Sequence, residues 1–196
     1  MSHFFYRHPD RYTPFLILFL LLQVISSQGQ IQTGEQPLSW QLKAKGADVP
    51  VMNLPKVDHQ QLRRQALSKQ RHKKLAFARM IDYSLDIKKK AEVRDWQGGT
   101  LYRVALRSED AYSLNLIFGK YRLPPGAKLF VYNSDQNHVR GAFTASNNKP
   151  SGVLPVAPVK GEQVVIEYFE PHSVPFEGEL IVSKVGHDYL DILDFM

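Results

Sequence analysis

The stretch that decides the fold is Tyr112–Asn133, YSLNLIFGKYRLPPGAKLFVYN. Tyr112, Leu114, Leu116 and Phe118 recur at period two with Ser113 and Asn115 between them. That is the alternation of a strand with one face on a core. Pro124, Pro125 and Gly126 interrupt the run, and Lys128–Asn133 (KLFVYN) resumes it. The stretch predicts two half-buried strands paired around a Pro-Pro-Gly turn, and with them an antiparallel β domain. It holds no constellation that could do chemistry, so function must be sought elsewhere in the chain.

The same alternation extends in both directions. Ile81–Ile87 (IDYSLDI) sets Ile81, Tyr83, Leu85 and Ile87 against Asp82, Ser84 and Asp86, and after a break at Gly98-Gly99 Thr100–Ser108 sets Tyr102, Val104 and Leu106 against Arg103, Ala105 and Arg107. Val139–Thr144 is a shorter candidate, and Gln163–Glu170 and Glu179–Val185 are strongly apolar strands. Asn147–Gly161, with Pro150, Pro155 and Pro158, reads as a loop. Seven or eight strands without helices between them predict an all-β, antiparallel, jelly-roll-like β-sandwich over 79–190, with a closed barrel as the alternative.

Ahead of the sandwich the chain changes character. Arg7 and Arg11 precede the apolar run Phe15–Leu22, and Ser26, Ser27 and Gly29 follow it. A positive start, a short apolar core and a small-residue exit make residues 1–29 a secretory signal peptide. Gln23 and Ser26 stop the run short of the ~20 apolar residues a spanning helix needs, so no stable membrane span is expected. The mature chain is then extracellular or periplasmic. It has no cysteine, so the domain must be held by its core, and no thiol chemistry or cysteine metal site is open to it.

The net charge of +6 is unevenly placed. Residues 30–99 carry fourteen Lys or Arg against seven Asp or Glu, whereas residues 100–196 carry nine against eleven. The basicity therefore belongs to the segment before the sandwich, expected as a partly helical linker over 30–78. Gln30–Pro55, broken by Pro37, Pro50 and Pro55, reads as an extended, poorly packed lead in which Val49, Val51, Met52 and Leu54 form a short β-like segment. Val57–Phe77 has neither Pro nor Gly and reads as a helix with Asp58 capping its first turn. Its apolar stripe is thin, which makes it marginal. Nucleic acid is not an expected partner of a secreted basic segment; a solvated linker face is.

Taken together, several motifs form an ordered set. Trp96 with Gly98-Gly99, AYSLNLIF, LPPGAKLFVYN, GAFT with NNKP, PVKGEQV, and an exit strand ending at His187-Asp188-Tyr189 span about residues 49–190. This set resembles the N-terminal region of secreted bacterial trypsin-like serine peptidases of the lysyl-endopeptidase-like type, common in Bacteroidetes. The resemblance implies a signal peptide and a β-sandwich standing ahead of a protease domain, with that catalytic domain as the partner. No GDSGG-like nucleophile loop or trypsin-like triad order occurs here, so no catalytic residue carries over. The expectation is a non-catalytic propeptide or accessory region, with 191–196 as a truncated linker to a missing domain. The alternative is a secreted carbohydrate- or protein-binding sandwich module.

The histidines His59, His72, His138, His172 and His187 lack metal-ligand or catalytic spacing and read as surface or satisfied strand-end residues. Asp188, Asp191 and Asp194 fall at intervals of three and read as an acidic solvated turn. Glu167 reads as the outward residue of its strand. No nucleophile–base pair is apparent, and no cofactor is expected. Lys69, Lys73 and Lys74 are cleavage points for a lysine-specific protease, and Tyr121 and Tyr132, flanking the Pro-Pro-Gly turn, are the candidate exposed ligand or partner surface.

Overall fold

Burial follows the alternation along β5 (Ser113–Arg122): Leu114, Leu116 and Phe118 are fully buried while Asn115 and Ile117 are half-buried. In the computed structural model, which describes residues 32–41, 49–68 and 76–194, this strand belongs to one of two sheets. Its sheet has the order β2-β10-β5-β8, where β2 is Ala78–Asp86, β8 Leu154–Lys160 and β10 Glu179–Asp188. The facing sheet has the order β1-β4-β9-β6-β7, from Val51–Asn53, Gly99–Arg107, Gln163–Pro171, Lys128–Asn133 and Val139–Phe143. There β3 (Glu92–Trp96) pairs with the first half of β4 and β1 with its second half. No hydrogen-bonded strand is shared, so the molecule is an antiparallel β-sandwich, with the β1–β4 contact its parallel pair. Val104, Leu106, Leu129, Val131, Val164 and Ile166 of one sheet meet Leu114, Leu116, Phe118, Val182 and Val185 of the other in a single core.

The Pro-Pro-Gly turn corrects the expectation drawn from it. β5 pairs with β10 and β8, whereas β6 pairs with β7 and β9, so the two strands lie in different sheets and the turn is an arch between them. The Ala127 N–H bonds the Pro124 carbonyl at 3.2 Å, and Gly126 sits at φ +81°. Proline at the second position and glycine with positive φ at the third make a type II turn, whose twist does not suit a tight two-strand hairpin. β6 is buried on both faces rather than one.

What covers its second face is the segment expected to be poorly packed. Leu38–Gln41 forms a 3-10 turn, and Trp40 packs with Val49 and Val139 over Ala105, Phe130, Tyr132, Ala142 and Val165. Its ring meets that of Tyr132 edge-on at 5.5 Å. The lead is retained because the outer side of this sheet is apolar and would otherwise face water. β1, at the short β-like segment expected there, adds a strand: Ala105 N–H bonds the Pro50 carbonyl and Leu54 N–H the Arg107 carbonyl, both at 2.8 Å. The described part of the stretch before the expected sandwich thus contributes a strand, Val51–Asn53, and a cover, Leu38–Gln41.

Two further strands differ from the sequence reading. The expected loop Asn147–Gly161 contains β8, an edge strand that buries Leu154, Val156 and Val159 against β5. Proline is tolerated on an edge because an edge strand has a free side on which no N–H is needed, so Pro155 and Pro158 do not break it. β3, unforeseen, forms a hairpin with β4 through Gln97-Gly98, where both residues take positive φ. Of the expected helix, α1 spans His59–Ser68, with the Asp58 carboxylate accepting from the Gln61 N–H at 2.8 Å as foreseen. A single helical turn, α2 (Ile87–Lys90), links β2 and β3. Among the described residues no helix is long and apolar enough to cross a membrane.

Candidate functional site

Neither tyrosine of the expected exposed surface is exposed. Tyr121 and Tyr132 are 2% and 3% exposed. Tyr121 points into the core and donates its hydroxyl to the Thr144 carbonyl at 2.8 Å. Tyr132 lies under Trp40, within reach of Ser39 Oγ at 3.0 Å and Glu167 at 3.2 Å. Burial pushes both phenols well above their ordinary range. The reason is topological: the turn they flank is an arch, so its strands are central and a stacking platform cannot form on them. Lys69, Lys73 and Lys74 lie outside the described residues, as do the signal peptide and His72.

Glu167 is likewise not outward to solvent. It is fully buried, and its carboxylate accepts from the Leu38 and Ser39 N–H groups at 2.6 and 3.2 Å and from the Tyr132 hydroxyl. It faces Arg103 in register across β4 and β9. Glu170 on the same strand takes Lys88 Nζ at 3.0 Å, the Gly178 N–H at 2.6 Å and the Tyr168 hydroxyl. Both carboxylates hold chain segments in place.

Chemistry gathers at the other end of the sandwich, where β10 runs out beside α1. His187, fully buried, places Nδ1 2.8 Å from Ser108 Oγ and Nε2 3.2 Å from His59 Nδ1. Ser108 directly follows β4 and His187 lies 79 positions later, a separation at which sequence spacing carries no signal. The expectation of no nucleophile–base pair is therefore corrected in geometry: a Ser–His pair exists. Its chemistry is restricted. Ser108 is 2% exposed, His187 is fully buried, and burial followed by the His59 charge lowers the His187 pKa.

Asp188, the next residue, corrects the reading of an acidic solvated turn. It is 1% exposed and accepts four hydrogen bonds: Ser113 Oγ at 2.6 Å and the N–H groups of Leu190, Asp191 and Ile192 at 2.8–3.0 Å. Its lone pairs are fully used by the turn that leaves β10. Asp194 pairs with Lys160 at 3.1 Å, and burial with the Asp194 charge pushes Asp191 upward. Among the described residues no group of three or more His, Cys, Asp or Glu is placed to hold a metal ion.

Over His187 lies α1. His59 opens it, half-buried, with its ring edge-on to Tyr112 at 5.1 Å. Arg63, one turn on, donates to the Tyr112 hydroxyl at 2.9 Å and stacks its cation over that ring at 5.8 Å. An open cleft of about 640 Å³ is lined here by His59, Arg63, Arg64, Leu67, Asp110 and Tyr112. A second, of about 420 Å³, runs along the other side of the helix between Val57, Leu62, Met80 and Ile81.

No family model matches the chain. Among solved structures it is similar to the isomalto-dextranase of Arthrobacter globiformis T6, solved with panose. The identity is 9%, the TM-score 0.24, and the match covers 49% of this chain and 18% of that one. A likeness of that extent bears on neither fold nor function.

Proposed function

We propose that this chain is a non-catalytic accessory or pro-region sandwich of a secreted serine peptidase of the lysyl-endopeptidase-like type. The peptidase is suggested by the ordered motif set alone. The observation that supports a non-catalytic role is that the buried Ser, His and carboxylate groups among the described residues are committed to the fold. Ser108, Ser113, Glu167, Glu170, His187 and Asp188 are buried, and each is hydrogen-bonded to the fold. A nucleophile must be reachable by its substrate, and Ser108 is 2% exposed beside a fully buried His187. In this reading the domain acts by packing on a catalytic domain, assisting its folding or limiting access to its cleft, and the basic residues Lys69, Lys73 and Lys74 are where maturation cuts.

The test is made on the secreted fraction of the producing cells. Proteins are labelled with a fluorophosphonate, which marks active serine hydrolases, and the sandwich is captured with an antibody against it. The reading expects the label on the same polypeptide as the sandwich or on a trypsin-like protein that stays with it through gel filtration. A captured sandwich carrying no label at any stage of growth refutes it.

A further inference from the structure

Helix α1 buries no residue, and ten residues are too few to be helical alone in water. Open clefts lie on both of its sides. The polar contacts that hold it to the sandwich are His59 to His187 and Arg63 to Tyr112, beside the half-buried Leu62 and Ala66. The first of these contains its own proton limit. The ring centroids are 5.4 Å apart while the facing nitrogens are 3.2 Å apart, so the difference is close to two ring radii and the nitrogens meet nearly head-on. One nitrogen must donate and the other accept. The pair can take one added proton, since an imidazolium can donate to a neutral ring. It cannot take two, because two N–H groups and two positive charges would then face each other.

We propose that α1 is an acid-released clamp, held on the sandwich by the His59–His187 bond at neutral pH and detached when both rings are charged. The other groups facing the pair do not remove this limit. Ser108 Oγ contacts only the far nitrogen of His187 and, being a hydroxyl, can donate or accept. Asp188 is the chain neighbour and Asp110 stands on the turn before β5; both favour a charged His187. Arg63 of α1 and Arg79, opposite His187 on β2, carry like charge. Burial and His59 outweigh the carboxylates and lower the His187 pKa, so the released state binds the proton more readily. The sign follows: a depressed folded-state pKa gives docking that is complete above the ordinary histidine range, about 6.5, and weakens as pH falls below it. A difference of one proton changes the docking equilibrium about ten-fold per pH unit. Release would bare His187 and the Tyr112 ring and free Arg63 for other contacts.

The experiment is hydrogen exchange with mass spectrometry on the full chain at pH 7.5 and pH 5.0, corrected for intrinsic exchange. Residues 61–68 should lose at least about ten-fold in protection at pH 5.0, while Gln163–Pro171 in β9 keeps its protection. In the variant His59→Gln the amide can accept from a charged His187 or donate to a neutral one, so the helix should stay protected at both values. Equal protection of wild-type α1 at both pH values overturns the clamp. So does a loss shared by β9, or a loss in H59Q equal to that of the wild type.

Discussion

Replacing Glu167 by Gln tests whether one buried carboxylate holds the lead on the sandwich. The substitution keeps shape and removes charge. In the native protein the carboxylate accepts from Leu38 N–H at 2.6 Å, Ser39 N–H at 3.2 Å and the Tyr132 hydroxyl at 3.2 Å. Hydrogen bonds to a charged acceptor contribute about 1.5–3 kcal/mol each, against about 0.5–1.5 for neutral ones. The Gln carbonyl can still take both N–H groups, and the tyrosine hydroxyl can turn to accept from the amide. The loss is then charge assistance on two or three bonds that do not add fully, about 2 kcal/mol. For a domain of this size that lowers Tm by roughly 4–8 °C. The assay is urea denaturation in a Trp96→Phe background, which leaves Trp40 as the sole tryptophan of the two in the chain. Trp40 sits against Tyr132, so its emission reports the lead while far-UV circular dichroism reports the strands. E167Q should red-shift Trp40 at urea concentrations where the strands are intact. Trp40→Ala acts through the same contact, so the double variant should fall short of additivity by at least about 0.5 kcal/mol. Stability within about 0.5 kcal/mol of the parent, with unchanged Trp40 emission, would refute the reasoning.

Two further outcomes are expected. Asp188→Ala strips the acceptor from Ser113 and from three consecutive backbone N–H groups; the cost should be about 3–5 kcal/mol, read as a large fall in urea midpoint, whereas Asp191→Ala should change it by less than about 1 kcal/mol. In alkali, Tyr121, Tyr132 and Tyr168 have phenols raised chiefly by burial. A raised folded-state pKa gives stability that is full below the ordinary tyrosine range, about 10, and is lost as pH rises above it. Spectrophotometric titration should therefore show these three of the nine tyrosines ionising only with unfolding; free titration of all nine in the folded protein would contradict their burial.

The strands were legible where one face is wet. Along β5 and β10 the period-two pattern gives the correct face because each strand has a polar side that water solvates. In β6 the pattern was present but its meaning was not, since Phe130 and Tyr132 look like the exposed alternates of Leu129 and Val131 until Trp40 is laid over them. That cover comes from some ninety positions away in the chain, and local periodicity contains no information about it. The arch at Pro124–Ala127 failed for a related reason: a turn's residues specify its dihedrals, and the sheet each arm joins depends on β9 and β10, which come later. Sites obey the same rule more strictly. The Asp58 cap was readable because donor and acceptor are three residues apart, while Ser108–His187 and Leu38–Glu167 span 79 and 129 positions. Polar residues that look idle in the sequence of a β-sandwich are thus the ones to suspect of tying distant segments together. A carboxylate such as Glu167 on an otherwise apolar strand has a desolvation cost that only such long-range partners can offset, so its position in the run was itself a sign that something else in the chain must lie against it.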